Sequence, residues 1–185
     1  MRHFAKLDCK VETNALLVAL QMQPELWCAH DGRRNYERSP HRETEDIWLR
    51  YNDISKLGDD YAAWTAQHDS VWLPPAAKLP QIRPIVFPLM AMCEATRLGG
   101  MLITKIPPGK RVYPHIDKGW HPEYYNLKLY VPLAANEACV NRVAEERVLM
   151  RVGECWYFDN TLEHEVINEG STERITLILC FRIEK

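Results

Sequence analysis

His115 and Asp117 have side chains and a spacing that could bind one metal ion. In an extended chain, residues two positions apart point to the same face, so both side chains could reach a common ion while Ile116 faces the other way. Short H-x-D patterns also arise by chance in a chain with seven histidines, and the pair alone is a weak signal. The pair indicates a metal site only when further residues support it.

His164 supplies a third ligand of the appropriate type. It begins the run HEVIN, which is typical of a later strand. Two imidazoles and one carboxylate form the ligand set that leaves three positions open on Fe(II), for an organic co-substrate and O2. A structural zinc site would have four ligands, preferably with thiolates, and no cysteine lies within five residues of His115 or His164. The ligand set therefore favours a redox iron site.

Arg174 opens the strongly apolar run RITLILCFRI, ten residues after His164. An arginine in such a strand is costly to bury unless it is paired with an anion. Its planar guanidinium suits a carboxylate held by two hydrogen bonds. An exposed strand end, or an ion pair with Glu169 or Glu173, would explain the residue equally well.

Lys128 and Tyr130 lie on one face of the predicted strand NLKLYVPL, opposite its aliphatic side chains. Polar groups at this spacing in a β core indicate either a solvated face or a lined cavity. These two residues thus extend the group that could surround a bound molecule.

Three segments resemble the aspartyl/asparaginyl β-hydroxylase family of Fe(II)/2-oxoglutarate dioxygenases. They are ITKIPPGKRVYPHID, NLKLYVPL and GECWYFDNTLEHEVINEGSTERITLIL, all within residues 102–182. The resemblance rests on the Pro-Gly turn before the first histidine, the F-D-x-x-x-x-H-E-V approach to the second, and the arginine that follows. It implies a double-stranded β-helix, a jelly-roll-like core with the iron at one mouth.

The resemblance implies that His115, Asp117 and His164 hold iron and form the catalytic centre. Arg174 would pair with the far carboxylate of 2-oxoglutarate. One ligand departs from the animal members, which have glycine where this chain has Asp117. The implied cofactors are Fe(II), 2-oxoglutarate as co-substrate, and O2.

Further co-substrate contacts follow from the same resemblance. Thr104 matches a serine that helps to bind 2-oxoglutarate, and its hydroxyl preserves the hydrogen bond. Lys128 stands where animal members have a second co-substrate arginine, and Tyr130 stands where they have a histidine. These two departures leave the inner contacts to 2-oxoglutarate open.

The loop KGWHPEYYNL, between Asp117 and Lys128, is the predicted substrate-facing segment because it is dense in aromatic residues. His121 is not predicted as a metal ligand, since His115 and Asp117 already occupy the natural positions. The candidate substrate contacts, from this loop and from elsewhere, are Trp120, His121, Tyr124, Tyr125, Asn160 and Arg50.

The elements that must position these residues differ between the two parts of the chain. Residues 1–100 are predicted to be helical or irregular, with helices in TNALLVALQMQPELW and PIVFPLMAMCEATRLGG and a strand in EDIWLRYND. Thr13 or Asn14 can cap the first helix, and Gly99-Gly100 is predicted to end the second. EDIWLRYND alternates, with Tyr51 predicted beside Ile47 and Leu49 on one face.

Residues 101–185 contain short runs of β-branched and aromatic residues separated by Gly, Pro, Asn and Asp, which is typical of a sandwich or barrel. With the resemblance, this predicts an α+β, mainly β fold. Its core is a double-stranded β-helix (jelly-roll/cupin-like) with N-terminal helices packed beside it. We expect one domain, residues 1–185.

The composition limits the binding partners and the cellular location that we expect for this chain. The chain has 185 residues, 26% of them charged, and a formal net charge of -2, which gives no reason to expect nucleic acid or an anionic membrane. The basic segment GRRNYERSPHRE is interpreted as a solvated loop because Glu37 and Glu43 dilute its charge. No apolar run reaches ~18 residues, no secretory signal is visible, and the cysteines are scattered. We expect a cytoplasmic protein of undetermined oligomeric state.

The favoured hypothesis is a hydroxylase that acts on an amino acid, a peptidyl Asp/Asn-like side chain or another small polar substrate. A non-catalytic cupin-like binding module is an alternative, although loss of activity would usually remove a ligand or the arginine. A metal-dependent hydrolase or isomerase on the same barrel would explain the ligands but not the spacing of Arg174 from His164.

Overall fold

Strands alternate with short helices along the whole chain. The computed structural model describes residues 2–29, 32–56 and 58–184, apart from the side chains of Tyr61 and Trp120. In chain order the elements are β1 (Phe4–Lys10), α1 (Asn14–Gln21), β2 (Glu45–Asn52), α2 (Tyr61–Ala66), β3 (Ser70–Trp72), α3 (Pro74–Lys78), α4 (Arg83–Met92), β4 (Arg97–Ile106), β5 (Arg111–His115), α5 (Trp120–Tyr124), β6 (Leu127–Ala134), β7 (Cys139–Val143), β8 (Glu146–Val148), β9 (Glu154–Phe158), β10 (His164–Asn168) and β11 (Arg174–Arg182).

The strands form two antiparallel sheets. The larger sheet has seven strands in the order β1-β9-β6-β11-β4-β2-β3, and the smaller sheet has four in the order β5-β10-β7-β8. Side chains of both sheets pack together in one apolar cluster, which includes Leu102, Tyr130 and Ile178 from the larger sheet and Val143 from the smaller. This arrangement confirms the predicted mainly β, jelly-roll-like fold.

The outer face of the larger sheet carries the main hydrophobic core. On β11, alternate residues from Ile175 to Phe181 are buried in this core, as the period of two predicts. Helices α1 and α4 cover the face with aliphatic side chains such as Leu16 and Val86, which are almost completely buried. Each such side chain contributes about 1.5–3 kcal/mol of burial free energy. The inner face is thereby left for the polar residues of the site.

The first hundred residues contribute more strand than the sequence predicts. β1 pairs with β9 at one edge of the larger sheet, while β2 and β3 form the other edge. The predicted strand EDIWLRYND is confirmed as β2, and the two predicted helices are confirmed as α1 and α4. Thr13 occupies the N-cap position of α1, although its side chain makes no capping hydrogen bond. In the described residues, no helix is long and apolar enough to span a bilayer.

The prediction that Gly99-Gly100 ends the second helix is wrong. Helix α4 ends at Met92, and Glu94 provides the left-handed residue, with φ of 51°. Both glycines lie inside β4. A Cβ at Gly99 would lie 2.5 Å from the Tyr125 ring, and one at Gly100 would lie 2.7 Å from Nε2 of His121. The glycines are therefore required for the close approach of the segment around α5 to β4.

Gly99→Ala is expected to lower the free energy of unfolding by about 1–3 kcal/mol, because the added methyl group overlaps a buried ring. Chemical denaturation would measure the change. Gly58→Ala is the matched control, because a Cβ there meets nothing within 4 Å and should change the stability by less than about 0.5 kcal/mol. Equal effects of the two substitutions would contradict the packing role of Gly99.

Candidate active site

Strands β5 and β10 bring the three predicted metal ligands together. The two strands are antiparallel neighbours, and His164 lies directly opposite His115. Asp117 follows the end of β5 and turns its Oδ1 toward both rings, 3.4 Å from Nε2 of His115 and 3.9 Å from Nε2 of His164. One ligand atom from each residue lies within 4.8 Å of the other two, close enough for a single ion between them.

Both imidazoles are oriented by backbone carbonyl groups. Nδ1 of His115 donates to the carbonyl of Tyr113 (2.8 Å), and Nδ1 of His164 donates to that of Leu162 (2.9 Å). Because a carbonyl can only accept, the proton of each neutral ring is on Nδ1 and the lone pair of Nε2 is available. Burial, reinforced by His115, lowers the pKa of His164 to about 4, so His164 is neutral at pH 7. Neutral imidazoles are the form that binds a metal, so the donor set fits Fe(II).

Asp117 is held by its second oxygen. Oδ2 accepts hydrogen bonds from Nζ of Lys128 (2.6 Å) and from Nδ2 of Asn160 (2.8 Å). The backbone N–H of Asp117 also donates to the carbonyl of Asn160 (3.1 Å). Burial alone would raise the pKa of Asp117, but the charge of Lys128 and its hydrogen bond to Oδ2 hold that pKa well below its usual range. Asp117 therefore presents an ionised carboxylate with Oδ1 available to a metal.

Asn160→Ala is expected to weaken Fe(II) binding by about 10- to 100-fold, because it removes a hydrogen bond that orients a ligand. Anaerobic titration calorimetry would measure the affinity. Asn126→Ala is the matched control, because that side chain makes two comparable hydrogen bonds, both to the backbone of Ile183. Unchanged iron affinity in Asn160→Ala would mean that Asn160 only shapes its turn.

Arg174 is buried on the inner face of the larger sheet, with only 2% of its surface exposed. Its Nη2 donates to Oδ1 of Asn141 (2.9 Å), and no carboxylate pairs with it in the described part of the chain. Burial lowers its pKa. The sequence left open an exposed position or a pair with a nearby glutamate, and the structure has neither, since Glu173 instead approaches Lys105. A buried cation with one neutral partner is costly unless an anion joins it.

Thr176 adds a second unsatisfied group beside Arg174. Its Oγ1 is buried and makes no hydrogen bond to any residue that the structure describes. Alternation places it on the same face of β11 as Arg174. A buried hydroxyl without a partner costs about 1–3 kcal/mol, which a carboxylate in this space would offset. Thr176 is not among the predicted site residues, although the alternation of β11 places it on the same face as Arg174. Arg174 and Thr176 together fit a carboxylate of 2-oxoglutarate.

The other predicted co-substrate contacts already have protein partners. Thr104 donates its single hydroxyl proton to Oδ1 of Asp46 (2.7 Å). Lys128 is bound to Asp117 (2.6 Å), and its pKa is raised: burial alone would lower it, but Tyr130 and Asp117 outweigh that effect. Tyr130 packs against Phe158, with 4.6 Å between the ring centres. All three contribute to the inner face, and Thr104 must release Asp46 before it can donate to a ligand.

A cavity of about 470 Å³ opens beside Asp117. Three of the predicted substrate contacts line it, namely His121, Tyr125 and Asn160. Nε2 of His121 accepts a hydrogen bond from the backbone of Gly100 (3.1 Å), and burial together with Lys128 lowers its pKa to about 4. That nitrogen is therefore engaged with the backbone of β4.

Two predicted substrate contacts, Arg50 and Tyr124, lie outside the cavity. For Arg50 the cause is a bulge between Trp48 and Arg50 that reverses the alternation of β2. Tyr51 therefore joins Trp48 at the cavity, contrary to its predicted face. Arg50 instead donates to the carbonyl of Leu98 and lies 5.2 Å from the centre of the Trp72 ring. Tyr124 stacks on His68 with 3.8 Å between the ring centres, outside the cavity. The side chain of Trp120 is outside the described part of the chain.

The basic segment is a loop, as interpreted, but only part of it is solvated: residues 35–38 are exposed, whereas its other part packs into the protein. Ser39, His41 and Thr44 are buried, and Arg33 and His41 line the cavity. The loop is fastened to the edge strand β5, where the N–H of Tyr113 donates to the carbonyl of Pro40 (2.8 Å). Glu43, which was expected to dilute the charge at the surface, accepts hydrogen bonds from β5. This segment therefore forms one wall of the site.

The sequence matches the model of the aspartyl/asparaginyl beta-hydroxylase family over residues 38–183. The chain belongs to this family. It is accordingly an Fe(II)- and 2-oxoglutarate-dependent hydroxylase that consumes O2, as the resemblance predicts. A comparison with curated protein sequences gives no significant match.

Solved structures with the same fold are similar to this family member at low sequence identity. A prolyl hydroxylase from Trichoplax adhaerens, in complex with a hypoxia inducible factor peptide fragment, has a TM-score of 0.58 and 14% identity, covering 97% of this chain and 83% of that one. A 2OG-Fe(II) oxygenase family protein from Burkholderia pseudomallei has a TM-score of 0.55 and 14% identity, with coverages of 98% and 84%. A viral collagen prolyl hydroxylase from Paramecium bursaria Chlorella virus-1, in complex with 2OG, has a TM-score of 0.53 and 14% identity, with coverages of 98% and 97%. These similarities confirm the predicted double-stranded β-helix.

Proposed function

We propose that this hydroxylase modifies a C–H bond of an amino acid, a peptidyl side chain or another small polar substrate, at an iron held by His115, Asp117 and His164. One observation carries the assignment: the three-ligand cluster lies in the same barrel as a buried arginine that has no acidic partner among the described residues. A zinc hydrolase would need the ligands but not this guanidinium.

In the proposed complex, Arg174 and Thr176 bind the distal carboxylate of 2-oxoglutarate. Bound Fe(II) and 2-oxoglutarate supply the oxidation chemistry, in which O2 hydroxylates the substrate while 2-oxoglutarate yields succinate and CO2. Lys128 and Asn160 hold Oδ2 of Asp117 and so keep Oδ1 directed at the metal. Phe158, with its ring centre 5.0 Å from that of His164, shields that ligand from water.

The substrate is proposed to enter through the cavity beside Asp117. Its wall includes the aromatic side chains of Trp48, Tyr51 and Tyr125, with His121 and Asn160 as polar groups. A cavity of about 470 Å³ suits a small molecule or one side chain of a peptide. The peptide in the complex of the Trichoplax adhaerens enzyme supports the second of these.

We also propose that residues 1–185 act as one domain in the cytoplasm. Strands β1, β2 and β3 from the first hundred residues extend the sheet formed by later strands, which supports a single folding unit. All six cysteines are free thiols, as expected in a reducing compartment.

The test is anaerobic addition of Fe(II) and 2-oxoglutarate to the purified protein. We expect a weak visible absorption band from the metal–co-substrate chelate, followed by succinate on exposure to air. Zinc-loaded protein is the control and should give neither signal. Absence of both signals from the iron-loaded protein would reject the proposal, and the assay needs no knowledge of the substrate.

A further inference from the structure

Arg33 brings a positive charge into the cavity from the loop of residues 32–44. Its side chain is 18% exposed and lines the same cavity as Asp117 and Lys128. Nη1 lies 3.3 Å from each carboxylate oxygen of Asp46 and 3.2 Å from Oγ1 of Thr104. The guanidinium is therefore directed at the inner face of the larger sheet.

The contacts of Arg33 leave most of its hydrogen-bonding capacity unused. Both bonds to Asp46 come from one nitrogen and exceed the 2.7–2.9 Å that is typical of charge-assisted pairs. Nε and Nη2 make no hydrogen bond to any residue in 2–29, 32–56 or 58–184. A planar carboxylate could therefore bind to these donors without displacing Asp46.

The charge in the cavity favours an anion. Asp117 is the one acidic side chain among the described residues that line it, and Lys128 already neutralises that carboxylate. Lys118 remains as a cation at the wall, and Arg33 adds a guanidinium whose charge is partly balanced by Asp46 behind it. Asp46, which faces Arg33, is 5% exposed and lies outside the wall.

Arg33 lies close to the part of the inner face where the buried hydroxyl of Thr176 lacks a hydrogen-bond partner among the described residues. Thr104, which Arg33 contacts, is the direct cross-strand partner of Thr176. Thr176 has the orphaned hydroxyl and lies two residues from the buried Arg174. A ligand that reaches Arg174 and Thr176 would therefore lie next to the guanidinium of Arg33.

We infer that Arg33 is a second carboxylate-binding residue for 2-oxoglutarate, supplied by the loop of residues 32–44 and held in place by Asp46. The inference rests on the proposed function of the site. It also explains how a buried Asp46 can lie near a binding site for a dianion: Arg33 cancels a charge that would repel the co-substrate.

The experiment compares Arg33→Gln, Asp46→Asn and the double variant, each loaded with Fe(II) without oxygen. The dissociation constant of 2-oxoglutarate is measured from the chelate absorption. Arg33→Gln alone leaves Asp46 unpaired, so the decisive comparison is between Asp46→Asn and the double variant, which contain no buried unpaired carboxylate at this point. Arg34→Gln is the matched control, because Arg34 bonds to Cys28 and does not line the cavity.

We expect the double variant to bind 2-oxoglutarate about 10- to 100-fold more weakly than Asp46→Asn, which is the effect of losing a charge-assisted contact. Arg34→Gln should match the wild type. Equal affinities of Asp46→Asn and the double variant would overturn the inference and make Arg33 only a partner of Asp46. Failure of the wild type to form the chelate would instead reject the proposed function, so the two failures are distinguishable.

Discussion

His164→Ala is expected to weaken Fe(II) binding by more than about 100-fold, because it removes one of three proposed ligands, whereas loss of an orienting hydrogen bond alone costs 10- to 100-fold. Nε2 of His164 faces Asp117 with its lone pair available, and burial keeps the ring neutral, so the residue is already in its metal-binding form. Anaerobic iron titration followed by iron analysis of the desalted protein would measure the loss. Succinate formation should fall with it.

His121→Gln is the control for this prediction. His121 lines the same cavity, but its Nε2 accepts a hydrogen bond from Gly100, and glutamine retains an acceptor there. Iron content should remain at the wild-type level in this variant. Loss of iron from His121→Gln, together with its retention in His164→Ala, would reverse the assignment of the two histidines.

Arg174→Met is expected to change binding and stability in opposite directions. Without the guanidinium, the affinity for 2-oxoglutarate should fall by roughly 30-fold to several thousand-fold, the cost of truncating one partner of a buried charge pair. In the cofactor-free protein, however, Arg174 is a buried charge whose one hydrogen-bond partner in the described part of the chain is the neutral Asn141. Replacing it with an apolar side chain of similar length should leave that form as stable, or more stable by up to about 4 kcal/mol.

Thermal unfolding measured with and without 2-oxoglutarate tests both effects. The wild type should gain stability from the co-substrate by mass action, and Arg174→Met should lose that gain while its iron affinity remains near normal. Arg142→Met is the control, because Arg142 pairs with Glu163 and Glu165 on the smaller sheet and does not line the cavity. It should retain the response to 2-oxoglutarate. Equal loss of iron and 2-oxoglutarate binding in Arg174→Met would mean that Arg174 is structural.

Local patterns were sufficient to predict the proposed ligands and much of the sheet. The spacing of His115 and Asp117 indicated a shared ion, although β5 ends at His115 and Ile116 lines the same cavity instead of facing the other way. The residues alone left the role of Arg174 open, and the family resemblance supplied it. β1 was not predicted, but it could have been, since Leu7 and Cys9 alternate with polar residues and pack against the outer core. These features depend only on neighbours along the chain.

Features that depend on distant residues were missed. One extra residue in β2 moved Tyr51 to the cavity and turned Arg50 away, and nothing in EDIWLRYND indicates that bulge. Gly99 and Gly100 resemble a helix stop. They instead allow β4 to approach Tyr125 and His121, which lie more than twenty positions later in the chain. The loop that contains Arg33 has a polar composition, and only its docking on β5 shows that Ser39 and His41 are buried.

The two halves of the site belong to different sheets. The proposed iron ligands lie on or next to β5 and β10 of the smaller sheet, whereas Arg174, Thr176 and Thr104 belong to β11 and β4 of the larger. Substitutions can therefore change the affinity for the metal and the affinity for the co-substrate almost independently, because few side chains contribute to both binding sites. Lys128 joins the two sheets: it projects from β6 of the larger sheet to Asp117 beside the smaller, so a substitution on the larger sheet would there disturb a proposed iron ligand. Evolution could therefore raise the iron affinity of this enzyme without lowering its affinity for 2-oxoglutarate, provided that Lys128 is retained.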